Sequence, residues 1–345
     1  MATPTITESN WMTDWGRRPD LEALAVNEPI GYIGNRIYPR TPSRFKSGLI
    51  SGLTLPQYAA AQTSRVDGVA PTTTLITNSE VSYETAEIIA RFGKTQRQTM
   101  DTGNIYKVDE QGARGAIYSF MYTCEQKALI QLTTPVSGNY NLITASAGDN
   151  IRQLIFSALQ SIHRYRGRRV LIAGAGMIQK LAECLDFRTF FEGMPFERRD
   201  SLLDGMERIV SAMQTIFLLD EVLVADDSIL NAAGNAVIMG DSTLVVAVIP
   251  QENEVTEDSY TYQAELGRCV VYQPYEGMKP YQVESFPDGN DMTNKYTAYG
   301  MVKHVELNPM MKRILDLSSL VLPTAPKFDI TGSTVITIDG GTANS

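Results

Sequence analysis

Gly174 and Gly176 follow the apolar run Val170 to Ala173 in the stretch "RRVLIAGAGMIQKLAE". Glycines between a buried strand and a helix let backbone approach a pyrophosphate at the helix N-terminus, so this spacing could hold a nucleotide. The dinucleotide fingerprint also needs a third glycine, where Gln179 stands, and an acidic residue closing a second parallel strand. Downstream, "CLDFRTFFEGMPFERRDS" is polar and aromatic where that strand should be, and Asp186 lies ten residues past Gly176. Two readings result: a nucleotide-dependent enzyme using the Gly174/Gly176 turn, or a plain strand-to-helix junction.

Other candidates for chemistry are thinner. Gly93, Lys94 and Thr95 end like a phosphate loop, but Ile88 stands where such a loop needs its first glycine, and a strand end accounts for the fragment. His163 and His304 are the only two histidines, and no G-x-S-x-G or H-E-x-x-H run occurs. Asp220-Glu221 and Asp226-Asp227 lack the alternate spacing of a calcium loop and read as turns flanking a strand. Cys124, Cys184 and Cys269 have no C-x-x-C spacing and read as small core residues. Tyr272, Tyr275, Tyr281, Tyr296 and Tyr299 fall on predicted strands, which fits sheet packing better than a base-stacking platform. The residues thus predict no catalytic residue, no cofactor and no metal site.

The net charge of −9 across 345 residues does not suit a phosphate-neutralising surface over the whole molecule. One basic cluster, "HRYRGRR" from His163 to Arg169, could touch phosphates or complement a helix C-terminus. Hydrophobic residues at 43% and charged residues at 20% are globular values. No apolar run approaches the ~20 residues that span a bilayer, and the N-terminus has no basic region leading into an apolar one. The expectation is a soluble chain made in a cytoplasm, with no membrane partner.

The elements that would position these residues form an α+β order, helices first and sheet later. Residues 1–45 read as an arm, punctuated by Pro4, Pro19, Pro29, Pro39 and Pro42, in which only "DLEALAVN" has a helical period. From Phe45 to about Gly93, two extended stretches flank a small, polar middle with the turn pair Asp67-Gly68, predicting a long projecting hairpin. An isolated two-stranded ribbon is marginal in water, so it must dock on something. Ala113, Ala116, Ile117, Phe120, Met121, Cys124 and Ala128 predict a helix from about Asp109 to Leu132. A second helix is expected after Asp149 as N-cap, and a third over Ser201 to Thr215. Strands follow in "IFLLDEVLVADD", "DSTLVVAVIP", "CVVYQPY", "YQVESFP" and "KYTAYGMVKHVELN". In the tail, Pro323 and Pro326 bias the chain to an extended path and "STVITI" is β-branched at nearly every position. Thr334 to Ile338, including Ile336, therefore predict a strand added to a sheet edge, set against a loose terminus ending in "GGTANS".

The order "EPIGYIGNRIYPRTPSRFKSG", "SRVDGVAPTTTLITNSEVSYETAEIIARFGKTQ", "DEQGARGAIYSFMYTCEQKALIQL", "HRYRGRRVLIAGAGMIQKLAE", "GDSTLVVAV", "SYTYQAELGRCVVYQPYEG" and "YQVESFPDGNDMTNKYTAYGMVKHVELNP" resembles the tailed-phage major capsid proteins with the Hong Kong 97-like fold. The resemblance covers roughly residues 20 to 320 and rests on element order. It implies an N-terminal arm at 1–45, an E-loop hairpin at 46–93 and a peripheral domain at 94–167 with a spine helix at 109–133. It further implies an axial domain at 168–305, a return to the peripheral domain at 306–321 and a C-terminal tail at 322–345. In that fold Gly174 and Gly176 serve a turn and close packing.

The implied function is a structural protein that assembles through hexamers and pentamers into an icosahedral shell around double-stranded DNA, located in the virion after assembly in the host cytoplasm. Encapsulins, shells that enclose enzymes, are the alternative within the same likeness. Other partners the resemblance allows are a portal and a decoration protein; because the chain begins almost at the arm, scaffolding is expected to be a separate protein or to be absent. No lysine lies between Lys46 and Lys94, so noncovalent stabilisation is expected rather than a lysine–asparagine cross-link in the hairpin. Arg65 and Asp67 near the hairpin tip are expected to pair with charges on an adjacent subunit, as Thr334, Ile336 and Ile338 are expected to pair in the tail. Weak, sequence-independent contact with packaged DNA would fall to Arg164, Arg166, Arg168 and Arg169.

Overall fold

A computed structural model describes residues 32–53, 78–95, 105–136, 142–144, 150–163, 165, 167–184, 206–225, 239, 242–249, 265–275, 278–288 and 293–318. In chain order these form α1 (Gly34–Ile37), β1 (Arg40–Ser43), β2 (Ser47–Leu53), β3 (Asn78–Glu84), β4 (Ala86–Thr95), α2 (Ile105–Thr133) and β5 (Leu142–Thr144). Next come α3 (Ile151–Ile162), β6 (Arg168–Gly174), α4 (Ala175–Glu183), α5 (Met206–Phe217) and β7 (Glu221–Ala225). The order closes with β8 (Thr243–Ile249), β9 (Gly267–Tyr272), β10 (Gln282–Asp288), β11 (Thr293–Glu306), a 3-10 turn at Pro309–Met311 and β12 (Lys312–Asp316).

The three- and four-residue spacing of apolar side chains produces α2, 29 residues long and therefore about 43 Å. Ala113, Ala116, Ile117, Phe120, Ala128, Leu129 and Leu132 are all buried on one side of it. That side backs a five-stranded sheet ordered β1-β9-β11-β10, with β4 alongside the first part of β11. Two glycines set how closely helix and sheet approach. A Cβ on Gly112 would lie 2.2 Å from the Tyr296 ring, and one on Gly115 would lie 2.9 Å from Phe92.

A second five-stranded sheet runs β5-β12-β8-β6-β7. Val170 to Ala173 and Leu244 to Ile249 are buried without alternation, as strands covered on both faces must be. One core cluster joins both sheets to all the longer helices. Within the expected axial unit 168–305, β6, β7 and β8 lie in the second sheet, whereas β9, β10 and β11 lie in the sheet backed by α2, and β12 from the return segment joins β8.

Several local expectations change. Residues 40–43, expected in an arm, form an edge strand parallel to β9, a position that tolerates Pro42 because its missing donor faces away from the ladder. Residues 86–95, expected as the second arm of the hairpin up to Gly93, leave the ribbon at Thr85 and pair with β11 over ten residues. Asn150, not Asp149, caps α3: its side chain accepts from the Gln153 amide at 3.0 Å. Ile216 and Phe217, expected in a strand, end α5, and Leu218 turns the chain with a φ of +52°. A parallel partner for β6 also exists. It is β7, Glu221–Ala225, which lies beyond α5 rather than in the stretch directly after Glu183.

Candidate intersubunit surface

The β2–β3 ribbon is antiparallel over seven residue pairs, and both of its legs continue into the first sheet. One leg enters from β1 across Arg44 to Lys46, and the other leaves into β4 at Thr85. Its root is tied by short-range polar bonds. The Thr85 amide and hydroxyl both donate to the Lys46 carbonyl, at 2.8 and 2.9 Å. The Tyr83 and Ser43 hydroxyls are 2.7 Å apart, and the Gln273 amide donates to the Ser43 carbonyl at 2.8 Å. The Lys46 ammonium sits 5.7 Å from the centre of the Tyr272 ring, within cation–π range.

One face of the ribbon root is apolar and packed. Tyr83, with Ile50 and Val81, forms a small second core with Val270, Val305 and Leu307 on the sheet face away from α2. The other side is bare: Leu49 is 67% exposed, and Phe45 at the root is 72% exposed. Single exposed apolar residues are ordinary; two large ones at the root of one ribbon make it a candidate contact surface. Neither exposure is predicted by the sequence: strand alternation puts Leu49 on one face with Ser47, Ser51 and Leu53. Ile89, Tyr118, Ile130 and Tyr275 are further exposed apolar residues.

Beneath this surface lies a buried polar framework. The Glu125 carboxylate on α2 accepts from the amides of Ile33 and Gly34, each at 2.8 Å, and so caps the N-terminus of α1. At the other end of α1, Tyr38 donates to Glu306 at 2.9 Å. Glu306 in turn pairs with the buried Lys312 ammonium, which also donates to the carbonyls of Gln131, Leu132 and Thr134 at 3.0, 2.9 and 3.2 Å. Lys312 thus serves the unpaired carbonyls at the C-terminus of α2, where a cation also meets the negative end of the helix dipole. Burial pushes the Glu306 carboxyl up, and Lys312 opposes it; burial pulls the Lys312 ammonium down, and Glu306 opposes that.

His304 packs edge-on against Tyr38, ring centres 5.7 Å apart. Burial, then the cations Lys127, Arg40 and Lys303, lower its pKa to about 4. The unfolded chain protonates this histidine near 6.5 while the folded chain keeps it neutral, so its contribution to stability falls as pH drops from about 6.5 to about 4. At pH 5 the loss should approach roughly 2 kcal/mol. Chemical denaturation of His304→Phe against the parent at pH 7 and pH 5 should show the smaller pH effect in the variant; equal losses would rule this out.

The candidates for chemistry do not converge. His304 is in β11, whereas His163 follows α3 and its Nδ1 lies 2.7 Å from the Gln160 carbonyl. Gly174 stands at φ −70° and ψ 158°, extended backbone that any residue adopts, and caps α4 without a side chain. Lys94 and Thr95 pair with Asn294 and Thr293 in β11, as a strand end does. Among the described residues, no group of three or more His, Cys, Asp or Glu could hold a metal ion, and no helix is long and apolar enough to cross a membrane. Cys184 and Cys269 are buried and Cys124 partly so. Arg168 lies 3.5 Å from Glu221, which also pairs with Arg36 of α1, so part of its charge is matched within the chain. Arg169 is exposed. Arg164, Arg166, Arg65, Asp67, Thr334, Ile336 and Ile338 lie outside the described residues.

No family model matches the sequence, and no curated relative does. The likeness is one of fold. A phage-related protein from Bordetella bronchiseptica aligns with a TM-score of 0.61 at 10% identity, covering 89% of this chain and 99% of its own. This chain shares the fold of that protein. A structure from Microbacterium phage Oxtober96 aligns at 0.50 and 9% identity over 86% of this chain and 94% of its own. The capsid of an empty GTA particle aligns at 0.48 and 12% identity over 92% and 99%. The fold shared with the Bordetella protein is a mixed helix-and-sheet architecture, the class expected from element order.

Proposed function

We propose that this chain is a capsid-forming protein of the Hong Kong 97-like kind, which assembles through hexamers and pentamers into an icosahedral shell around the double-stranded DNA of a tailed bacteriophage. The observation that carries the proposal is fold likeness along nearly the whole of both chains, 89% and 99%, with a phage-related protein. The ribbon fits it, because an element whose outward face keeps Leu49 exposed gains by covering that face with a neighbour. In this proposal the sheet backed by α2 is the peripheral domain, the sheet containing β6 and β8 is the axial domain, and the β2–β3 ribbon is the E-loop.

Negative-stain imaging and light scattering of the purified full-length chain test this over a concentration series, with and without a co-expressed scaffolding protein. Closed shells of uniform size are expected, and a monomer under every condition would refute the proposal. Nuclease-protected duplex DNA in particles from infected cells is expected; a folded cargo enzyme in its place would favour the encapsulin alternative.

A further inference from the structure

Helix α5 ends in a Schellman turn whose left-handed position is filled by leucine. The Leu219 amide donates to the Gln214 carbonyl at 3.0 Å, the bond that defines the turn, and Leu218 between them has a φ of +52°. It is the one non-glycine residue at positive φ among the described residues. Glycine takes this conformation freely, whereas a Cβ crowds the following carbonyl. Burial of the side chain could offset that, but Leu218 is 76% exposed, whereas the neighbouring Leu219, with no such crowding, is buried. The chain therefore carries a crowded backbone and a bare apolar side chain at one point and gains nothing from either within the subunit.

The surroundings of Leu218 are firm and mixed in charge. Asp220 accepts from the Arg169 amide at 2.7 Å, and its own amide donates to the Arg169 carbonyl at 3.0 Å, which pins the turn to the start of β6. Arg169, Thr215 and Asp220 are exposed around it. An apolar centre ringed by polar groups on a rigid base is the layout of an interface anchor. A rim with one cation and one anion complements a surface of the same composition, which favours another copy of the same chain over a partner of single sign. We propose that Leu218 anchors a contact with a second copy of this chain, with Arg169 and Asp220 at its rim. This rests on the assembly proposal above.

Leu218→Gly and Leu218→Asn both suit the left-handed conformation and remove the apolar side chain. In the unassembled subunit they should leave Tm unchanged or raise it by roughly 2 °C. The protein concentration needed to form particles should rise about tenfold, while Leu218→Met should assemble at the parental concentration. Glycine and asparagine variants that assemble like the parent would overturn the anchor and leave the assembly proposal standing. A lowered Tm in both would show that the side chain supports the fold instead, which also overturns it. A parent chain that stays monomeric removes both proposals together.

Discussion

Lys312→Met is expected to destabilise the folded chain by about 3 to 5 kcal/mol, the cost of stranding a buried charge. The ammonium is fully buried and its partner Glu306 nearly so, with side-chain exposures of 0% and 5%. Methionine fills much of the volume but donates nothing. The carbonyls of Gln131, Leu132 and Thr134 lose their shared donor, and Glu306 keeps only the neutral groups of Tyr38 and the Gln131 side chain. Adding Glu306→Gln should recover at least about half of the loss, because a neutral amide costs far less to bury and its oxygen can still accept from Tyr38. Urea midpoints of the parent, the two single variants and the pair complete the cycle. A Lys312→Met protein within about 1 kcal/mol of the parent would show that the charge is solvated after all.

The second large effect concerns backbone approach. Gly267 faces Glu306 across the β9–β11 ladder, and a Cβ there would lie 2.2 Å from the Val305 carbonyl oxygen and 2.9 Å from the Tyr38 ring. A side chain in the way could rotate; a carbonyl in a hydrogen-bonded ladder cannot move without opening it. Gly267→Ala should therefore cost about 3 kcal/mol, at the upper end for added core volume. It should also loosen α1, since Tyr38 is the ring displaced. Hydrogen exchange should show faster exchange at Ile33 and Gly34 in this variant, and unchanged protection with a parental midpoint would contradict the assignment of tight packing.

The legible features in the sequence were those that repeat along the chain. The period of Ala113 through Ala128 predicts α2, and the β-branched runs predict β8 and β11. Features built by contacts across the sequence were not legible. Glu125 reads as one more charge on a helix until α1, 91 positions away, brings the Gly34 amide to it. Lys312 reads as an exposed residue near a chain end until its carbonyl partners on α2 are seen. The short β1 was hidden by Pro42, whose strand-breaking tendency holds for central strands but not for an edge. The parallel partner of β6 lies far along the chain: β7 begins at Glu221, 47 positions after β6 ends at Gly174, so no local pattern announces the pairing. The exposed Phe45 and Leu49 carry no sequence signature, since exposure belongs to the fold and not to residue type.

Both legs of the ribbon are continuous with strands of the sheet backed by α2: β1, paired with β9 over four residues, and β4, paired with β11 over ten. A pull on the ribbon along its length runs down these two strands and loads their hydrogen bonds in shear, so that many must give way at once. Peeling from an edge would break them singly. Any load on the ribbon would therefore pass directly to the ten-pair ladder of β4 and β11, the longest among the described residues, with α2 across its back. The weaker of the two moorings is the four-residue pairing of β1.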